Sequence, residues 1–366
     1  MRAIRIQPVA ASAIFAAFVF SCPALAQAPA GYPATYQSVI DAAKKEGSVT
    51  IYSTTDSAAA APLLKDFQAA FPGIKVEYSD LNSTELYSRF ISEMAAGATG
   101  DLMWSSAPDL QVKLVADGNG LEYASPEIAS LPSWAVWKNQ AYGTTYEPMA
   151  IIYNKRLVPA EDVPQTHKDF TKLLNEKTDK YKGKVTAYDP ERSGVGFLMV
   201  TRDVKADPAS WDLFKAFGKS QIKLYTSAGA MMERVASGEH LIGYNIFSSY
   251  AVLRAKKDPN VAYILPKDFT LIATRVAFIS KKARHPNAAK VFLDYLLSKR
   301  GQDIIAQNDL GAIRADVEGD QTAKKIGAEL GDKARPVPVS DELLTYLEEA
   351  KRLEFLKEWQ QAMQTK

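Results

Sequence analysis

Cysteine is almost missing: the chain of 366 residues holds one, Cys22. A disulfide scaffold, a thiol nucleophile and a cysteine metal site are therefore excluded for the rest of it. Histidine is scarce as well. His167, His240 and His285 stand far apart, in segments that read as loops or element ends, without the spacing of metal ligands. Net charge is small, 44 Lys and Arg against 42 Asp and Glu. That excludes the basic excess a nucleic-acid or polybasic membrane-surface protein needs. A Gly-x-Ser-x-Gly elbow, a Walker loop and a zinc motif are also absent. Catalysis has no motif behind it.

One long apolar run is present, at the start. Arg2 and Arg5 precede Ala10 to Phe20, and Pro23-Ala24-Leu25-Ala26 follows with a small-x-small cleavage pattern. This reads as a secretory signal peptide over residues 1–26. Its removal would discard Cys22 and two of the 44 basic residues, leaving 42 against 42 acids. An exported chain without disulfides suits a bacterial periplasm, where the apolar core carries stability.

The remainder is long enough for two domains. Apolar spacing predicts a helix over 36–46, strand 49–52, a helix to Phe71, strand 74–78, a helix over 83–96 and strand 101–104. Strand-helix alternation of this kind implies a parallel sheet covered by helices. Residues 140–154 hold two extended runs with no helix between them and read as a crossing into a second lobe. There the alternation resumes, with strands 185–188 and 241–246 and helices between. Residues 273–280 lead back out, and the helices after them are expected to pack on the first lobe. The expected division is residues 27–145 with 271–366 in one lobe and 146–270 in the other.

Ligands of parallel sheets sit beyond the carboxyl ends of strands. Ser53, Thr54 and Thr55 follow one such strand and Ser105 and Ser106 another, so both groups share a rim. In the second lobe Asp189-Pro190-Glu191-Arg192-Ser193-Gly194-Val195-Gly196 joins a strand to a helix. A serine cap, close-approach glycines and free N–H groups make an anion site, with Arg192 as a bidentate partner. Asp189 could bond a ligand hydroxyl or cap the turn. Thr226 and Ser227 form a further cap-or-ligand pair, and Tyr146 on the crossing is a candidate aromatic wall.

Several segments together resemble the family 1 extracellular solute-binding proteins of ABC importers, in the ferric-iron-binding subgroup. They are Gly47 to Ser53, Gly100-Asp101-Leu102, Met149 to Leu157, Ala187 to Pro190 with Ser193-Gly194, Ser237-Gly238-Glu239, and Lys281 through Gly301-Gln302 to Val317. The resemblance implies a type II two-lobe α/β fold, each lobe a doubly wound, mostly parallel sheet, joined by two crossing strands and closing on a ligand. It also implies an ABC permease as partner, a monomer, and an anion held by Ser193, Gly194 and Val195. The subgroup's tyrosine pair is replaced by Ser248 and Ser249, and its histidine after the first strand is missing. Serine hydroxyls cannot supply the phenolates that hold ferric iron. The expectation is thus a periplasmic binding protein, not an enzyme, without metal or cofactor, taking a small polar or anionic solute such as a phosphate ester, phosphonate or carboxylate. Ser248 and Ser249 join the other second-lobe residues around it. Ferric iron held with a synergistic anion is the alternative, and a periplasmic enzyme or ligand sensor on the same fold is the alternative of another class.

Overall fold

Two mixed sheets organise the computed structural model, which describes residues 28–364. The expected signal peptide and Cys22 lie outside the described residues. The chain opens with α1 (Tyr36–Glu46), β1 (Ser48–Ser53), α2 (Ser57–Ala70), β2 (Lys75–Asp80), α3 (Ser83–Ala96), β3 (Leu102–Ser105), α4 (Pro108–Ala116), β4 (Val136–Trp137) and β5 (Ala141–Gly143). The next stretch holds β6 (Glu147–Asn154), α5 (His167–Glu176), α6 (Thr178–Tyr181), β7 (Val185–Tyr188), α7 (Gly194–Ala206), α8 (Ser210–Lys219), β8 (Lys223–Tyr225) and α9 (Ala228–Ser237). It continues with β9 (Ile242–Phe247), α10 (Ser248–Lys257), β10 (Val261–Ile264) and β11 (Thr270–Ala273). Then follow β12 (Val276–Ile279), α11 (Pro286–Leu297), α12 (Lys299–Gln307), α13 (Ala323–Leu330), β13 (Ala334–Pro336), a 3-10 segment (Asp341–Leu347) and α14 (Glu349–Met363).

The first sheet runs β2-β1-β3-β12-β5-β4, and the second β13-β11-β6-β9-β7-β8 with β10 added beside β6. The expected parallel character holds for β2-β1-β3 and for β9-β7-β8. Beyond them it holds only for β13 beside β11. β12, β5 and β6, the strands that flank the crossings, pair antiparallel, because a chain that leaves one lobe and returns arrives in the opposite direction.

Local sequence explains the elements. α3 buries Leu86 and Phe90 one turn apart, starts where the Asn82 side chain accepts the Glu85 N–H at 2.9 Å, and stops at Gly97, whose φ of +95° suits glycine. In the first lobe Phe67 packs edge-on against Phe292 at 4.9 Å. In the second, Phe217 packs against Phe170 and Tyr244 at 5.6 and 5.4 Å. Each such buried ring contributes about 1.5–3 kcal/mol.

Residues Thr144 to Tyr146 and Thr274 to Arg275 cross between the sheets. They are clamped together: Arg275 and Glu147, both fully buried, pair through Nε–Oε1 at 2.8 Å and Nη2–Oε2 at 3.2 Å. The expected lobe division needs two corrections. β11 pairs with β6 in the second sheet, so the return to the first lobe comes at β12, a few residues later than 271. And the chain after residue 333 goes back to the second lobe. β13 lies parallel to β11, and α14 buries Phe355, Trp359 and Ala362 in the second-lobe core, with Trp359 against Phe214 at 4.9 Å. Apolar spacing marks a buried face but does not say which lobe covers it.

Candidate functional site

The loops after β1, β2 and β3 face those after β7, β8 and β9 across a cavity of about 240 Å³. Five helices start at its wall, because their N-cap residues line it: Asp56 of α2, Asn82 of α3, Ser193 of α7, Ser227 of α9 and Phe247 of α10. Each helix start carries roughly half a positive charge from aligned peptide dipoles. The two lobes touch beside the cavity. Thr84 Oγ1 donates to the Arg192 carbonyl at 3.1 Å, and the Val195 N–H donates to Ser83 Oγ at 3.3 Å.

The two sides differ in charge. On the first-lobe side, Asp80 accepts from the Ser57 N–H at 2.8 Å and so caps α2, while Glu85 accepts from Asn82 Nδ2 at 3.3 Å at the start of α3. On the second-lobe side the caps of α7 and α9 are neutral, while at α10 the Glu147 carboxylate, paired with Arg275, accepts from Ser249 in the first turn. Ser193 Oγ accepts from Gly196 N–H and Ser227 Oγ from Ala230 N–H, and α10 has no side-chain cap at all. Two phenols complete the wall. Burial raises Tyr188, and burial likewise pushes Tyr250 up to about 12 against the opposing effect of Arg275, so both are protonated at neutral pH. Partial burial and then the neighbouring Asp80 also lift the Asp56 carboxyl above its ordinary range.

Of the residues expected at the site, Thr54, Ser106, Ser193, Val195, Thr226 and Ser227 line this cavity. Thr54 Oγ1 and Ser106 Oγ lie 2.9 Å apart. The others do not line it. Ser53 and Ser105 are buried and accept from Thr55 N–H and Ala107 N–H, as turn-forming serines do. Thr55 accepts from Arg275 Nη1 at 3.0 Å. Asp189 folds its own turn by accepting from Glu191 N–H and Arg192 N–H. Arg192 is exposed, and Gly194 is pressed against Leu110 of the opposite lobe so closely that a Cβ there would fall 2.6 Å from it. Ser249 donates to Glu147 Oε2 at 2.5 Å, and Ser248 is buried beside it in the first turn of α10. Tyr146 packs at a tilt against Trp134, ring centres 5.9 Å apart, in a separate apolar cluster with Ile272 and Ile313.

Asp56, Asp80, Asn82, Ser83, Glu85, Tyr188 and Phe247 line the cavity without having been singled out as site residues, and Tyr250, read from the sequence as a wall residue, lines it too. The signal for some was present: Asn82 three residues before Glu85, ahead of an apolar helix, is a capping box. A larger pocket of about 520 Å³ on the first lobe has Arg300 and Arg314 in its wall. Both are paired, with Asp66 and with Glu127 and Asp316, so neither is left to hold a solute. Among the described residues no group of three or more His, Cys, Asp and Glu could hold a metal ion.

A family model described as bacterial extracellular solute-binding protein matches residues 62–325. The substrate-binding protein of an ABC transporter from Agrobacterium tumefaciens is 38% identical, with 86% of this chain and 94% of that one covered at a TM-score of 0.84. The periplasmic binding protein AfuA from Actinobacillus pleuropneumoniae, solved with exogenous fructose-6-phosphate bound, shares the fold at 19% identity and TM-score 0.70, over 87% of this chain and 99% of that one. Phosphoglycerate transport regulatory protein PgtC of Salmonella typhimurium is 29% identical over 133 residues, 36% of this chain. The chain thus spans about a third, 33%, of the length of that curated relative.

Proposed function

The chain belongs to the bacterial extracellular solute-binding proteins, and from that premise we propose that it captures a small anionic solute between its lobes in the periplasm and delivers it to the permease of an ABC importer. A phosphate ester fits the cavity best, with phosphonates and carboxylates as chemical neighbours. The observation that carries this reading is the asymmetry of the cavity wall. Five helix N-termini converge on it, and those of α7 and α9 are capped only by serine hydroxyls, which leaves their field for a bound anion. Thr54, Ser106, Asn82 and the first-lobe carboxylates then face the hydroxyl groups of the solute. The two relatives named for phosphorylated compounds support the same class.

The test is a thermal-shift series with phosphate esters, phosphonates, neutral sugars and ferric citrate, on the parent and on Ser193→Asp and Ser227→Asp. Aspartate caps a helix as well as serine does, so both variants fold. Its charge occupies the anion position and costs on the order of 2–4 kcal/mol of binding at about 4 Å in a protein-like dielectric. Phosphate esters should stabilise the parent and neither variant. Stabilisation by ferric citrate alone, with a visible phenolate–iron band, would overturn the proposal in favour of metal binding.

A further inference from the structure

The cavity has a neighbour. Beyond the contact between Asp56 and Tyr250 lies a second space of about 200 Å³, bounded by Ala58 and Ala59 of α2, Met232 of α9, and Leu253, Arg254 and Lys257 of α10. Asp56 and Tyr250 line both spaces and form the neck between them. The neck is held by two long hydrogen bonds, Asp56 N–H to Tyr250 Oη at 3.2 Å and Tyr250 Oη to Asp56 Oδ1 at 3.4 Å. Solute hydroxyls can take over both.

Tyr250, Leu253, Arg254 and Lys257 recur at i, i+3, i+4 and i+7, so one face of α10 runs along both spaces. At 1.5 Å per residue that face is about 10 Å long. It begins at the uncapped helix start in the first cavity and ends on Lys257 in the second. Arg254 is tied through Nη2 to Glu233 at 3.0 Å and Asp258 at 3.7 Å, while its Nε is buried with no hydrogen-bond partner. Lys257 has no ion pair among the described residues. Arg254 is half-buried beside Ala58, Ala59, Met232 and Leu253, while Lys257 is exposed at the far end of the space, free to turn onto a solute group there.

We propose that the second space receives a second anionic group of the same solute: a hydroxylated carbon chain with a phosphate at the N-termini of α7 and α9 and a carboxylate on Lys257. This rests on the anion-binding reading above and narrows it to solutes with an acid at each end, about 10 Å apart along α10. Asp56 at the neck accepts from the hydroxyls in between.

The probes are 6-phosphogluconate and sorbitol 6-phosphate, which share a six-carbon chain and a phosphate and differ in one terminal carboxylate. Calorimetric titration should show the parent binding 6-phosphogluconate at least about tenfold more tightly, the worth of one charge-assisted hydrogen bond. In Lys257→Ala the loss for 6-phosphogluconate should exceed that for sorbitol 6-phosphate by about tenfold. Met232→Trp, which fills the second space, should abolish the preference. Equal affinity of the parent for both probes, or a preference that survives both variants, would overturn the second site and leave the anion reading standing. If neither probe binds the parent, the anion reading falls, and the second site with it.

Discussion

Asp109, in the first turn of α4, is a buried carboxylate whose Oδ1 has no hydrogen-bond partner. Burial raises its pKa to about 7, with Arg202 of α7 and Arg352 of α14 acting in the opposite direction. The folded state therefore holds a proton that the unfolded chain releases near pH 4. Stability from this group is present at low pH and is lost as pH rises from about 4 through about 7. Asp109→Asn removes the penalty. Urea melts should show the variant equal to the parent near pH 4 and more stable at pH 8, by on the order of 2–4 kcal/mol. A variant whose advantage does not change with pH would mean that packing, not ionisation, sets the cost. At this scale sequence reading succeeds where a residue's chemistry is local, as with the caps Ser193 and Ser227. It fails where the partner is distant. Ser249 looks like a ligand residue beside a helix start, yet its hydroxyl is consumed by Glu147, 102 positions away.

Elements were legible wherever an apolar period was long. The helix over 83–96 and the strand over 185–188 have the bounds their spacing predicts. α4 went unread although Pro108 opens it in the first turn, where proline is favoured, because its short apolar pattern is buried nearly all round. The address of α14 was illegible for another reason: Phe355, Trp359 and Ala362 mark one face, but the surface that receives it is assembled from Phe214, Phe217 and Gly218 of α8. A Cβ at Gly218 would fall 2.5 Å from the Ala362 carbonyl, so α14 sits as close to α8 as backbone permits. Trp359→Ala empties the centre of this contact and should cost about 3–5 kcal/mol in chemical denaturation. A loss below about 1 kcal/mol would show that α14 contributes little to the second-lobe core.

At the scale of the molecule, the question is what fixes the balance between open and closed lobes. Two crossings join the sheets, and the segment after residue 333 adds a tether: Val337 bonds Ile272 in the second sheet, Val339 bonds Trp134 in the first lobe, and α14 then packs on α8. Arg275 and Glu147 clamp the crossings, so the closure that solute capture calls for would work on the cavity side. There the lobes meet in few places, and Thr84 Oγ1 to the Arg192 carbonyl is one that does not line the cavity. A solute that binds only the closed form gains from every contact favouring closure, whether or not it touches the solute. Thr84→Ala removes one exposed hydrogen bond, worth about 0.5–1 kcal/mol net. Apparent affinity should fall about twofold to fivefold, through faster release, while the radius of gyration of the solute-saturated protein stays that of the parent. Small-angle scattering with stopped-flow release measures both. Slower association with unchanged release would mean instead that Thr84 acts on solute entry, and that closure is governed by the solute's own contacts with the two rims.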